Sequence, residues 1–373
     1  MKRPVDAVEL TRKLIGFNTV NPPGNEAECA AYLYDLLTEH GFTVSRHEFA
    51  PGRPSLLARL ISDERRPALC FAGHIDTVPL GAQDWSVDPF AGTLKDGKLF
   101  GRGASDMKSG VAAFVAAAIG LAHGSQRPNL TLAILAGEET GCEGSFHLAA
   151  QQDVIGSAAA IVIAEPTSNY PLVGHKGAFW IEAKTTGVTA HGSMPERGDN
   201  AIYKAAGAIC ALQSYSFSSP PHPVLGKPTL NVGTISGGLN INSVPDGTTF
   251  GIDIRSVPGQ NHADILDSLR ATLGGNVALT PILDVPSLWT DPSEAWIQSV
   301  YDVMTPMLEG RPEIRTTTYF TDASALTPAY GNPPTIILGP GEGSLAHQTD
   351  EYCYVERIHQ AVEAYTEIAR RWR

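Results

Sequence analysis

The sequence predicts a two-domain α/β chain, in which an α/β/α domain on a mostly parallel sheet is interrupted by a smaller, ferredoxin-like α+β domain. Three observations lead there. Short, near-continuous apolar runs at residues 68–72, 130–136, 158–164 and 334–338 alternate with helical segments, as expected of strands covered on both faces. Between residues 177 and 286 the pattern changes to strands of alternating polarity in the order β-α-β-β-α-β. The length, 373 residues, exceeds what one hydrophobic core usually organises. The resulting plan gives residues 1–176 and 287–373 to the α/β domain and 177–286 to the insert.

In chain order, residues 5–15 carry an apolar helical stripe (Val5, Val8, Leu10, Leu14, Ile15) that stops before the turn cluster Asn21-Pro22-Pro23-Gly24. Residues 26–39 repeat the stripe with Ala30, Leu33, Leu36 and Leu37 until Gly41 ends it. Strands are expected at 42–49 and 55–61. The strand at 68–72 runs directly into Gly73-His74-Ile75-Asp76-Thr77-Val78-Pro79. A loop holding Trp85 and Phe90 leads to a short strand at 97–103, then to Asp106 ahead of a small-residue helix at 111–122. The strand at 130–136 ends at Gly137-Glu138-Glu139. After a helix from about Ser145, the strand at 158–164 ends at Glu165-Pro166. In the insert, strands at 179–186, 229–235, 248–254 and 276–282 accompany helices at 201–212 and 262–273. The α/β pattern returns with a helix at 294–308, a strand at 334–338 and a closing helix at 355–371.

Composition narrows the function classes. Hydrophobic residues at 43% and charged residues at 18% describe an ordinary soluble globular protein. A net charge of −12 with no basic block argues against nucleic acid or an anionic membrane as partner. No apolar run is long enough to span a bilayer. The 5 cysteines are scattered and form no Cys-x-x-Cys, the usage of a reducing compartment, so a cytoplasmic location is expected.

The chemistry-bearing residues stand at strand exits. His74, Asp106, Glu139, Glu165 and His347 all fall at or beyond a strand end or at a helix start, where open α/β sheets bind ligands. Singly, each has an ordinary reading. Asp106 suits a helix N-terminus, Glu138-Glu139 a solvated acidic turn, Glu165-Pro166 a surface turn, and His347 an exposed loop. Jointly, two histidines and three carboxylates are too much charge to converge without cations, and they are the right inventory for two divalent metals. Asp76 is placed to receive the free N–H of His74. Glu138 is placed to hold the proton of the attacking water in amide hydrolysis.

The stretches 73–79, 101–110, 136–141 and 346–351, with 21–24 and 251–255, resemble those of the di-zinc amidohydrolases and peptidases. That family includes acetylornithine deacetylase, succinyl-diaminopimelate desuccinylase, aminoacylases and glutamate carboxypeptidase. The resemblance implies that Asp106 bridges two ions, with His74 and Glu165 completing one site and Glu139 and His347 the other. It implies zinc, with cobalt or manganese fitting the same ligands. Glu138 would be general base and then acid, and Asp76 would orient His74. The insert is similar to the family's lid and dimerisation domain. There His191 would reach a neighbouring protomer's site in a homodimer to hold the oxyanion, while Asn242, Arg255 and Lys176 would hold the substrate's polar end. A surface role for His191 and a strand-face ion pair for Arg255 remain the readings of the residues alone. The expected reaction is hydrolysis of a linear amide, foremost in an N-acyl amino acid. A di- or tripeptidase or carboxypeptidase is the second reading, and an inactive metal-containing binding protein is the third.

Overall fold

A computed structural model describes residues 4–125 and 127–372. The chain forms two compact units. The first holds the described residues up to Gly174, together with Trp289–Thr316 and those from Thr321 on; the second holds His175–Leu288 and Thr317–Phe320.

The first unit is built on a six-stranded sheet in the order Thr43–Ala50, Arg53–Leu60, Leu130–Leu135, Leu69–His74, Ala160–Ile163, Thr335–Ile337. Its last four strands run parallel to one another, while the first two form an antiparallel hairpin whose inner strand is also antiparallel to Leu130–Leu135. The central strands are buried along their whole length, as a sheet covered on both faces requires. The helix Lys108–Ala122 shows why: it is buried nearly all round, and its alanines and glycines let it lie close to its neighbours. It packs against the sheet strand Leu69–His74 and against helices Ala7–Ile15 and Val355–Arg371. Phe71 meets Phe114 at 6.2 Å between ring centroids and Tyr365 at 5.3 Å. Gly110 permits a close approach, since a Cβ there would fall 2.1 Å from the Ala164 carbonyl oxygen. The start of this helix is thus pressed onto the end of the neighbouring strand.

Helix Ala7–Ile15 begins where Asp6 Oδ1 accepts hydrogen bonds from the Val8 and Glu9 amides. Two elements were too short for periodicity to reveal. Tyr352–Tyr354 and Thr93–Lys95 flank Lys98–Phe100 in a small antiparallel sheet. The helix Ala323–Ala329, despite Pro328 inside it, follows Asp322.

The second unit is a four-stranded antiparallel sheet in the order Thr229–Gly237, Gly247–Arg255, Ala178–Thr186, Val277–Val285. With helices Ala201–Gln213 and His262–Leu273 it has the ferredoxin-like order. The alternation expected of a half-covered sheet is present: Phe179, Ile181 and Ala183 pack with Phe250, Ile252, Ile254, Leu212 and Leu269. Pro281 sits on an edge strand beside a register shift, where its missing N–H is tolerated. Asn200 and Asn261 side chains cap the two helices through the Tyr203 and Ala263 amides.

Candidate metal centre and active site

The carboxyl ends of three adjacent parallel strands deliver the acidic residues. Leu69–His74 ends on His74 itself, Leu130–Leu135 leads to Glu138 and Glu139, and Ala160–Ile163 leads to Glu165. Asp106 arrives two residues before the helix Lys108–Ala122, across a cis peptide bond to Met107. His347 follows the 3₁₀ turn Gly343–Leu345 with a positive φ of 65°. The chain thus brings together in its first unit all seven residues that the sequence assigns to metal binding and to the chemistry near it.

Their geometry divides in two around Asp106. His74 Nε2 lies 3.2 Å from Asp106 Oδ1 and 3.7 Å from Glu165 Oε1. On the other side, His347 Nε2 lies 3.5 Å from Asp106 Oδ2 and 3.1 Å from Glu139 Oε2. Ligand atoms of His74, Asp106 and Glu139 fall within 4.8 Å of one another. Glu138 is next to this array, its Oε2 4.0 Å from His74 Nε2.

The array fits divalent cations on its own evidence. His74 Nε2, Asp106 Oδ1, Glu139 Oε1 and Glu165 Oε1 are all buried without a hydrogen-bond partner. The contact of His74 Nε2 with Asp106, though short, lacks hydrogen-bond alignment. Buried polar atoms normally find partners, and four converging orphans are what a cation would satisfy. The electrostatics agree. Burial and the Asp106 charge push Glu139 up to about 7. Burial, with Asp106 nearby, also pushes Glu165 well above the usual carboxylate range. Glu138 is likewise pushed well up by burial, against the pull of His74 and with the push of Glu165 and Glu139. Burial opposes the charged form of His74, but its contacts with Asp106 and Asp76 win and raise its pKa well above normal.

Asp76 does more than receive His74. His74 Nδ1 is 3.0 Å from the main-chain oxygen of Asp76 and 3.6 Å from its carboxylate. The carboxylate turns instead to Asn21 Nδ2 at 2.8 Å and to the Glu138 and Glu139 amides at 3.1 and 3.2 Å. Asp76 therefore fixes the Glu138-Glu139 turn with its side chain and His74 with its backbone.

The remaining candidates lie in the second unit. His191 is exposed, with Nδ1 2.7 Å from Ser193 Oγ. Its loop is joined to that of Asn242, also exposed, by a 2.7 Å bond from the Gly192 amide to the Asn242 carbonyl. Arg255 Nε is 3.0 Å from Asp253 Oδ1 across its own strand face. Lys176 Nζ donates to the Lys227 carbonyl at 2.7 Å.

Three residues near the array escaped the sequence reading. Asp322 is wholly buried, and its carboxyl is pushed up to about 6 mainly by that burial. The Cys142 thiol lies 3.8 Å from Glu138 Oε1, from a residue at φ 60° that starts the helix Glu143–Ala149. Asn21, in the turn cluster, reaches Asp76. Asp322 immediately precedes the helix Ala323–Ala329. Only the cluster of turn residues around Asn21 offered a signal.

Comparison with known proteins identifies the family. The profile of peptidase family M20/M25/M40 matches residues 70–371. A probable succinyl-diaminopimelate desuccinylase of Staphylococcus epidermidis is 28% identical over 399 aligned positions, covering 97% of this chain and 96% of the relative. An acetylornithine deacetylase of Vibrio vulnificus is 30% identical, covering 94% and 92%. In fold, the chain is similar to the M20 metallo-carboxypeptidase Sso-CP2 of Sulfolobus solfataricus, with a TM-score of 0.83, 16% identity and 99% of each chain covered. With a family profile spanning most of its length, the chain belongs to peptidase family M20/M25/M40 and is a metal-dependent hydrolase of amide bonds.

Proposed function

We propose that the protein deacylates an N-acyl amino acid, using a pair of divalent ions held by His74, Asp106 and Glu165 on one side and Asp106, Glu139 and His347 on the other. The observation that carries the two-ion reading is the placement of the two Asp106 oxygens, one facing each histidine. The ions, zinc in this reading with cobalt or manganese as fitting substitutes, would supply Lewis acidity at the scissile carbonyl and a nucleophile at neutral pH. Glu138 takes the proton of the attacking water on its carboxylate and returns it to the departing amine. Burial among other carboxylates suits it to that exchange, because the raised pKa strengthens its hold on a proton. Asp76 holds the turn that aims Glu138.

The second unit supplies substrate contacts in this reading. His191 would stabilise the oxyanion in a neighbouring protomer of a homodimer. Asn242, Arg255 and Lys176 would receive the polar end of the substrate, Arg255 by releasing Asp253. The second unit, His175–Leu288 with Thr317–Phe320, would then act as lid and dimerisation domain, and the first as the catalytic domain. No helix among the described residues is long and apolar enough to cross a membrane. With all 5 cysteines unpaired, the reading places the enzyme in the cytoplasm.

The deacylase choice over a peptidase rests on the two deacylases among the relatives; the peptidase reading draws on the fold neighbours. A screen of the zinc-loaded protein against acetylornithine, succinyl-diaminopimelate, other N-acyl amino acids and dipeptides decides between them. Higher kcat/KM on an acyl amino acid is expected, and preference for a dipeptide with a free amine overturns it. Glu138→Gln should lower kcat by about 10²–10⁴-fold with metal content intact; retained activity sinks the assignment of the base.

A further inference from the structure

We infer that Arg102 and Glu351 are positioning residues that set where Asp106 and His347 stand, an inference that rests on the two-ion reading above. Neither belongs to the proposed ligand set. The Glu351 carboxylate is fully buried, and it is bound by the segment that delivers Asp106. Its Oε1 accepts from the Ser105 amide at 2.7 Å and the Asp106 amide at 2.9 Å. Its Oε2 accepts from the Gly103 amide at 3.1 Å and from Arg102 Nη1 at 2.6 Å.

Arg102, 1% exposed, spends further donors on main-chain oxygens of two other segments. Nη1 reaches the Gln348 carbonyl at 3.3 Å, one residue past His347, and Nη2 reaches the Pro79 carbonyl at 3.0 Å, five residues past His74. A single buried ion pair therefore ties together the three stretches that carry His74, Asp106 and His347. The seam continues from the Gly101 amide to the Glu351 carbonyl at 2.9 Å and into the pairing of Tyr352 with Phe100.

The need for such an anchor is visible at His347. Its side chain is 54% exposed, so packing does not hold it. Both His347 and Asp350 adopt left-handed backbone, with φ of 65° and 58°, which non-glycine residues keep only where surrounding structure imposes it. The anchors are Arg102 on Gln348, Glu351 on the Asp106 segment, and Asp350 Oδ1 accepting from the Ser86 amide at 2.8 Å. A buried ion pair is on balance a weak source of stability. What this pair contributes is order: it presets the Asp106 and His347 side chains before any ion arrives, so binding need not organise the loop.

The test is a metal titration, independent of turnover. Metal-free protein is titrated with Zn²⁺ against a chromophoric chelator, and Co²⁺ loading is followed by its visible absorption. Wild type failing to take two equivalents would count against the two-ion reading itself. With two equivalents bound by wild type, Glu351→Gln is expected to weaken at least one by about 10–100-fold and to change the Co²⁺ spectrum. Arg102→Lys keeps the charge but loses the fork that reaches two carbonyls, and should shift affinity in the same direction by less. It decides the matter if Glu351→Gln does not fold. Tyr365→Phe, which loses the buried bond to the Leu338 carbonyl elsewhere in the same unit, is the control and should bind ions as wild type does. Wild-type affinity and spectrum in the folded Glu351 and Arg102 variants overturn the inference, as does an equal loss in Tyr365→Phe.

Discussion

The two units put their sheets to opposite uses. In the first, strands such as Leu130–Leu135 are buried end to end, and charge enters only where they stop. In the second, the strand Ala178–Thr186 alternates between covered and open positions, and the edge strand Thr229–Gly237 is largely exposed. The first unit therefore concentrates carboxylates in a low-dielectric pocket, where the absence of water raises their pKa and strengthens any cation they hold. The second leaves apolar side chains in water: Tyr203 is 77% exposed, Leu239 95% and Ile241 104%. A covered sheet makes a site for ions. A half-covered one with an open edge leaves backbone groups and apolar side chains uncovered.

That contrast can be broken or sharpened by experiment. The largest effect is expected on chelation. Removing ions present at a thousandfold over their Kd should cost the first unit about 4 kcal/mol per ion and abolish activity. Calorimetry should show the loss in the first unit's transition; an equal loss in the second would erase the distinction. Next, Phe250→Ala in the second core should cost about 3–5 kcal/mol while metal content per folded molecule stays constant. Chemical denaturation measures the first quantity and metal analysis the second.

A smaller effect concerns pH. His175, fully buried, has its pKa depressed to about 4 by desolvation, against a bond to the Lys176 carbonyl. The folded chain thus keeps it neutral where the unfolded chain protonates it below about 6.5. Its contribution is complete above that pH and is lost as pH falls from about 6.5 to 4, by roughly 3 kcal/mol. His175→Gln should flatten stability against pH in that window, and an unchanged slope would remove the residue from the account. The smallest effect on stability should come from Ile241→Asp, within about 0.5 kcal/mol, yet sedimentation should show weaker self-association. Unchanged association would detach this face from the proposed dimer.

Much of this was readable from the residues alone, for a physical reason. A strand buried on both faces must be apolar throughout, so the polar residues that end it stand out, and His74, Glu138, Glu139 and Glu165 were visible in that way. Asp106 and His347 were visible only in combination with them. What stayed hidden depends on direction rather than composition. Nothing in the sequence says that Asp76 aims its carboxylate at two amides, that Cys142 leans on Glu138, or that Asp322 is buried. Three-residue strands such as Tyr352–Tyr354 are shorter than any period. The antiparallel placement of Arg53–Leu60 against Leu130–Leu135 depends on connections that apolar runs do not encode.

The position of Asp106 between two histidines has a consequence for how the protein is made. His74 and Asp106 leave the ribosome early, but His347 follows Asp106 by 241 residues (347 − 106). At about 5–20 residues per second, the nascent chain carries an unfinished acidic cluster for roughly 10–50 s. During that interval Asp106 has only His74 beside it, Glu139 lacks His347, and Glu351 has not yet arrived to accept the Asp106 amide. In the two-ion reading, hydrolytic competence waits for His347, so the site cannot act on an amide before that loop has been made.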